Sequence, residues 1–182
     1  ESFVESRDLY KYSKRTVVID HHRMMVKHIE NAIIFYHEPY ASSASEMVTE
    51  LVQYLGENAI GRLEADALLA GITLDTKNFV LKTGVRTFEA AAFLRRSGAD
   101  ITRVRKLFRE NMRDYQAKAD AVRKAEVYMD AFAISECSAD GLDSPTIIGA
   151  QAANELLEIR GIKASVVLTD YNGTIYFSAR SI

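Results

Sequence analysis

The sequence predicts an α/β protein in two parts, a parallel-sheet domain joined by helix to a smaller α/β domain. Three observations carry this expectation. Val17 to Ile19 is an unbroken β-branched run, the pattern of a strand covered on both faces in a parallel sheet. Apolar residues then recur at helical spacing through most of residues 44–124. Beyond residue 130 the pattern changes to a loop, a helix and two strands flanking Asn172-Gly173.

The elements follow in order. A second apolar run, Ala32 to Tyr36, stops at Glu38-Pro39, because proline is poorly placed inside a central strand. Ser43 stands three residues before Glu46, a capping-box spacing that starts a helix. Met47, Val48, Leu51, Val52 and Leu55 continue it at helical spacing, and Gly56 supplies a stop. Arg62 to Leu74, rich in Ala and Leu, predicts a helix that runs directly into Asp75.

After the loop "DTKNFVLKTG", Phe88 to Arg96 predicts a helix closed by Gly98. Asp100 caps a further helix, expected to continue to about Met129. "SADGLDSP" is a loop, "TIIGAQAANELLEI" a helix, and "ASVVLTDYNGTIYFSARS" two strands about an Asn-Gly turn. The boundary between the two parts is expected in the connecting helix, near residues 115–125.

Composition excludes several classes. With 48% hydrophobic and 26% charged residues and a net charge of -2, the chain is an ordinary globular protein with no basic excess suited to polymeric nucleic acid. Between Arg95 and Lys124, ten Lys and Arg face four acids, a net of +6, best read as a solvated helix face. The single cysteine, Cys137, cannot form an internal disulfide, which fits a reducing cytoplasm. No apolar run approaches the length of a membrane span.

The chemistry gathers at element ends. Four histidines occur in the chain, and two of them, His21 and His22, follow Asp20 at the end of the first strand. In an open parallel sheet, ligands bind at the carboxyl ends of strands. Imidazole and carboxylate together suit Mn²⁺, Zn²⁺ or Fe²⁺ better than Mg²⁺ or Ca²⁺. Adjacent side chains on extended backbone point apart, so a division of labour fits best, one histidine on metal and one on substrate. The plainer reading stays open beside it: two surface or core histidines, with Asp20 as a local hydrogen-bond acceptor. Asp75, also at an element end, taken alone is more often a cap or turn residue. Spacing gives His28 and His37 no role.

"VVIDHHR", "EPYASSASEMVTEL", "LLAGITLDTKNF", "RTFEAAAFLRRSGAD" and "SARS", in this order, resemble the DHH phosphoesterase superfamily and, within it, the GdpP-type (YybT-type) cyclic-di-AMP phosphodiesterases. The resemblance spans nearly the whole chain. It implies a DHH domain over residues 1–115, a helical linker over 116–130 and a DHH-associated substrate-binding domain over 131–182, both domains incomplete. It further implies two Mn²⁺ ions, with His21 on one metal and Asp75 bridging both. His22 would face the scissile phosphate, with Asp20 orienting the histidine pair. Arg180 would contact substrate, aided by Ser178 or Ser181, with Arg23 a further candidate. For Ser42, Ser43 and Ser45, capping is the simpler assignment.

The function so implied is Mn²⁺-dependent hydrolysis of cyclic-di-AMP to linear pApA. The alternatives are an oligoribonucleotide or single-strand DNA phosphoesterase, or a non-catalytic nucleotide-binding module. The expected partner is a cyclic dinucleotide, and a homodimer is compatible with the sequence. The family's upstream His-x-x-x-Asp-x-Asp motif and later "GGGH" segment are not in this sequence. The chain is therefore read as an internal segment with little activity alone, from a cytoplasmic part of a parent anchored to the membrane through upstream segments.

Overall fold

A computed structural model describes residues 6–24, 28–29, 31–56 and 59–182, with the side chain of Arg7 left out. The chain divides into two compact units, 1–108 and 109–182. This division, between Phe108 and Arg109, precedes the boundary expected near residues 115–125.

In the first unit, helix α1 (Arg7–Tyr12) precedes strands β1 (Thr16–Asp20) and β2 (Ala32–His37), which pair in parallel with Val18 opposite Phe35 and Asp20 opposite His37. Among the described residues, β1 is not covered on both faces. Val17 is 52% exposed and Ile34, its partner in register, 56%. Helix α2 (Ala44–Gln53) is the helix packed against β1, and the sheet among the described residues has two strands.

Three helices complete this unit: α3 (Arg62–Asp75), α4 (Val85–Arg96) and α5 (Ile101–Leu107). Ala65, Leu69, Ile72, Ala90, Leu94, Ala99 and Val104 form their shared core. Ser43 caps α2 by accepting from the Glu46 N–H at 3.0 Å, and Asp100 caps α5 by accepting from the Thr102 N–H at 2.7 Å. Half of the expected capping box forms, because the Glu46 carboxylate turns to the Ser42 hydroxyl at 2.5 Å. Buried Asp66 of α3 takes Arg103 Nε at 2.6 Å and the Asp100 N–H at 2.7 Å, tying α3 to the start of α5.

The single helix expected from Asp100 to about Met129 is broken. After α5, Asn111 caps a new helix, α6 (Met112–Arg123), by accepting from the Asp114 N–H at 2.9 Å. Residues 116–130 do not stand as a linker: α6 packs on the second unit's own elements, and strand β3 (Glu126–Tyr128) follows it. Strand β4 (Phe132–Cys137), helix α7 (Pro145–Leu157) and strands β5 (Ala164–Tyr171) and β6 (Thr174–Ser181) complete the unit. The sheet order is β3-β4-β5-β6, with β4 and β5 parallel and the outer pairs antiparallel.

The expected turn joins β5 to β6, with φ of 53° at Asn172 and 73° at Gly173. Ala121, Ala133, Cys137, Ile148, Ala152, Ala153, Leu156, Ile162 and Val167 form this unit's core. Cys137 is buried, and burial pushes its thiol above the ordinary range. Several cations of the basic stretch are paired, Arg103 with Asp66, Lys118 with Glu110 and Arg123 with Asp120. Among the described residues, no helix is long and apolar enough to cross a membrane.

Candidate functional site

The Asp20 carboxylate accepts twice from His22, from the backbone N–H at 3.0 Å and from ring Nδ1–H at 2.8 Å. In this local loop at the strand end the two imidazoles stay in contact, with ring centroids 4.5 Å apart and planes tilted by 52°, yet they differ in exposure. His21 is 9% exposed, whereas the His22 side chain is 78% exposed. Burial alone would raise the Asp20 carboxyl; the His22 donors, with the charges of His22 and His37, outweigh it and hold it below its ordinary value. With Nδ1–H given to Asp20, His22 presents Nε2 outward.

The neighbouring strand fastens the same loop. Glu38 N–H donates to the Asp20 carbonyl at 3.0 Å, and His37 Nε2–H donates to the His22 carbonyl at 2.6 Å. Spacing assigns His37 nothing, and its part here depends on the β1–β2 register. His22, Arg23, His28, Phe35 and His37 line a cavity of about 440 Å³ with Asp20. A larger cavity of about 780 Å³ lies between α2 and α4 and contains none of these residues. In it Arg86 holds Glu50 through two bonds of 2.7 and 2.8 Å.

Asp75 is the last residue of α3, and its Oδ2 stands 3.5 Å from His21 Nε2. The structure thus brings together the two residues expected to share metal. One consideration favours a cation there: a carboxylate at the negative end of a helix dipole is stabilised by positive charge. On the other side of the ring from Asp75, His21 Nδ1 is buried without a hydrogen-bond partner. One imidazole and one carboxylate fit Mn²⁺ as part of a coordination set. Among the described residues, no group of three or more His, Cys, Asp or Glu could hold an ion.

Ser42 and Ser43 are occupied as described, by Glu46 and by the α2 cap. Ser45 Oγ fills the space over Gly71, where an added Cβ would come within 2.1 Å of it.

In the second unit, Arg180 on β6 donates from Nε to Asn154 Oδ1 at 3.1 Å and from Nη1 to the Ala179 carbonyl at 2.8 Å. Strand alternation puts Ser178 and Arg180 on one face, opposite Val167 and Ser165. Ser181 falls on the other face, so a single contact patch does not gather all three.

Residues 2–72 match the model of the DHH family, N-terminal domain. Over 181 residues the chain is 44% identical to the cyclic-di-AMP phosphodiesterase GdpP of Geobacillus thermodenitrificans. Over 183 residues it is 40% identical to the cyclic-di-AMP phosphodiesterase PdeA of Listeria monocytogenes. These alignments take in 98% and 100% of the chain but 27% and 28% of the relatives, so the chain spans little more than a quarter of their length. The crystal structure of an exopolyphosphatase-related protein from Bacteroides fragilis shares the fold, with a TM-score of 0.84 over 98% of this chain and 54% of that one, at 22% identity.

Proposed function

The chain belongs to the DHH family, and on that premise we propose that the protein containing it hydrolyses cyclic-di-AMP to linear pApA with the help of two Mn²⁺ ions. The observation that carries the proposal is the pairing of buried His21 with Asp75 beside an exposed, carboxylate-oriented His22. Two similar proteins bear the name cyclic-di-AMP phosphodiesterase.

His21 and Asp75 are assigned to metal, with further ligands from outside this pair. The ions, when bound, would acidify a water and neutralise phosphoryl charge. His22 would turn its Nε2 toward the phosphate, with its ring held by the Asp20 carboxylate. Arg23 lies in the same cavity and can add a charge-assisted hydrogen bond to a phosphate oxygen. Arg180 and Ser178, which share one face of β6, are assigned to substrate in the second unit.

The test is turnover of cyclic-di-AMP, cyclic-di-GMP, pApA and pyrophosphate by the full-length protein with Mn²⁺, with products separated by chromatography. The expected result is fastest conversion of cyclic-di-AMP, with pApA accumulating. Faster hydrolysis of pyrophosphate, or of pApA, would overturn the substrate assignment.

A further inference from the structure

The segment that follows Asp75 is conformationally unusual. Lys77, Asn78 and Phe79 have φ of 45°, 64° and 65°, three consecutive residues with side chains in the left-handed region. A Cβ disfavours that region at each of them, so a run of three persists only where its surroundings impose it.

Thr76 supplies the constraint. It is fully buried, and its hydroxyl is used in both directions, donating to the Ile72 carbonyl at 2.6 Å and accepting from the Phe79 N–H at 2.9 Å. Its carbonyl takes the Val80 and Leu81 N–H groups at 2.9 and 2.8 Å, and Asn78 N–H closes on the Thr73 carbonyl at 2.8 Å. The far end of the turn is held by Phe79 stacked on Phe88 of α4, with ring centroids 5.7 Å apart and planes 13° from parallel.

We propose that Thr76 is a positioning residue for the Asp75 carboxylate: its hydroxyl ends α3 at Asp75 and pins the left-handed turn that follows. This rests on the metal reading given above. Were the turn to relax into a right-handed continuation, α3 would extend past Asp75 and the carboxylate would rotate with the helix end. Valine at position 76 has threonine's shape but loses both hydroxyl bonds, stranding the Phe79 N–H. Serine keeps both.

The experiment uses the full-length protein with Thr76→Val, Thr76→Ser and Phe88→Ala, the last removing a side chain that is 57% exposed. Mn²⁺ affinity is read by electron paramagnetic resonance of the free ion, alongside the melting temperature and kcat and KM for cyclic-di-AMP. The expected result for Thr76→Val is Mn²⁺ affinity weakened by roughly 10–100-fold, the range for residues that support metal ligands. Thr76→Ser should stay near wild type, and Phe88→Ala should weaken Mn²⁺ binding to a smaller degree with little loss of melting temperature. Unchanged Mn²⁺ affinity in Thr76→Val, or in Phe88→Ala should the valine variant fail to fold, would overturn the inference and leave the metal reading intact. No Mn²⁺ binding by the wild-type protein would overturn both.

Discussion

His21 Nε2 and Asp75 Oδ2 stand 3.5 Å apart, a strand end and a helix end brought to one point from distant parts of the chain. If both serve a shared cation, removing either leaves the other without its charge partner. In the full-length protein, His21→Ala and Asp75→Ala are each expected to lower kcat/KM for cyclic-di-AMP by more than about 100-fold, beyond the range of supporting residues. Because the Asp75 side chain is 40% exposed, its alanine variant should keep the wild-type melting temperature. Retained activity in Asp75→Ala would remove this residue from the site.

Asp20 and His22 make a second testable pair. The carboxylate accepts from His22 Nδ1–H at 2.8 Å. Asn at position 20 retains an oxygen acceptor and the local turn but loses the negative charge. Asp20→Asn is expected to lower kcat by roughly 10–100-fold with KM little changed. Full activity would reduce Asp20 to a local hydrogen-bond acceptor, the plainer reading of the sequence.

In the sequence, Asp20, His21, His22 and Asp75 stand out as candidates because they sit where periodic patterns stop, whereas the pairing of His21 with Asp75 is implied by the family resemblance and not by spacing. Their supports are not legible. His37 reaches the His22 carbonyl only through the β1–β2 register, and the hydroxyl of Thr76 matters only once α3 ends where it does. The fold follows the same division. α2, α3, α4, α7 and the β5–β6 hairpin follow periodicity, caps and an Asn-Gly turn.

β3 and β4 escape such reading for two reasons. The turn between them places Met129 and Asp130 at φ of 50° and 53°, positions where Gly or Asn would have given a signal. The inward residues of β4 are Ala133, Ser135 and Cys137, too small and mixed to stand out as an apolar alternation. The β-branched run Val17–Ile19 does not reveal how little covers β1, since β-branched residues report strand propensity and not what packs on the strand.

Acid sensitivity should arise at Asp66. Arg103 foremost, then the Asp100 N–H, hold its carboxyl below the ordinary value, against the opposing effect of burial. A depressed folded-state pKa gives stability that is present above the unfolded value and lost as pH falls through the folded one. The melting temperature should therefore drop below about pH 4, the ordinary aspartate range. Asp66→Asn should lower it at pH 7 and flatten that acid decline. A decline as steep as wild type would assign the acid response to other carboxylates.

A packing prediction concerns Gly149 of α7 and Thr169 of β5. A Cβ added at Gly149 would meet Thr169 Oγ1 at 2.3 Å, and that hydroxyl is buried without a hydrogen-bond partner. Gly149→Ala is expected to destabilise by about 1–3 kcal/mol through overpacking. Adding Thr169→Ala should recover part of this loss, because it removes the colliding oxygen. Denaturant unfolding of the two single variants and the double variant checks it. Strictly additive effects would mean that the two positions do not press on each other.

The last expectation concerns autonomy of the second unit. Its core draws on Ala121 through Val167, all within residues 109–182, and α6 packs on α7 and β4 of the same unit. A domain of this size has a high surface-to-volume ratio, so a stability of roughly 3–5 kcal/mol is the reasonable range. Strand β6 lies at the sheet edge with Phe177 74% and Ile175 60% exposed, which favours association at high concentration. Expressed alone and kept dilute, residues 109–182 should therefore show mixed α/β circular dichroism and a single cooperative urea transition. In the 182-residue chain, limited proteolysis should cut first between Phe108 and Met112, where α5 has ended and α6 has not begun. A 109–182 segment that is unfolded in dilute buffer would show that its core depends on the first unit, despite containing every residue of that cluster.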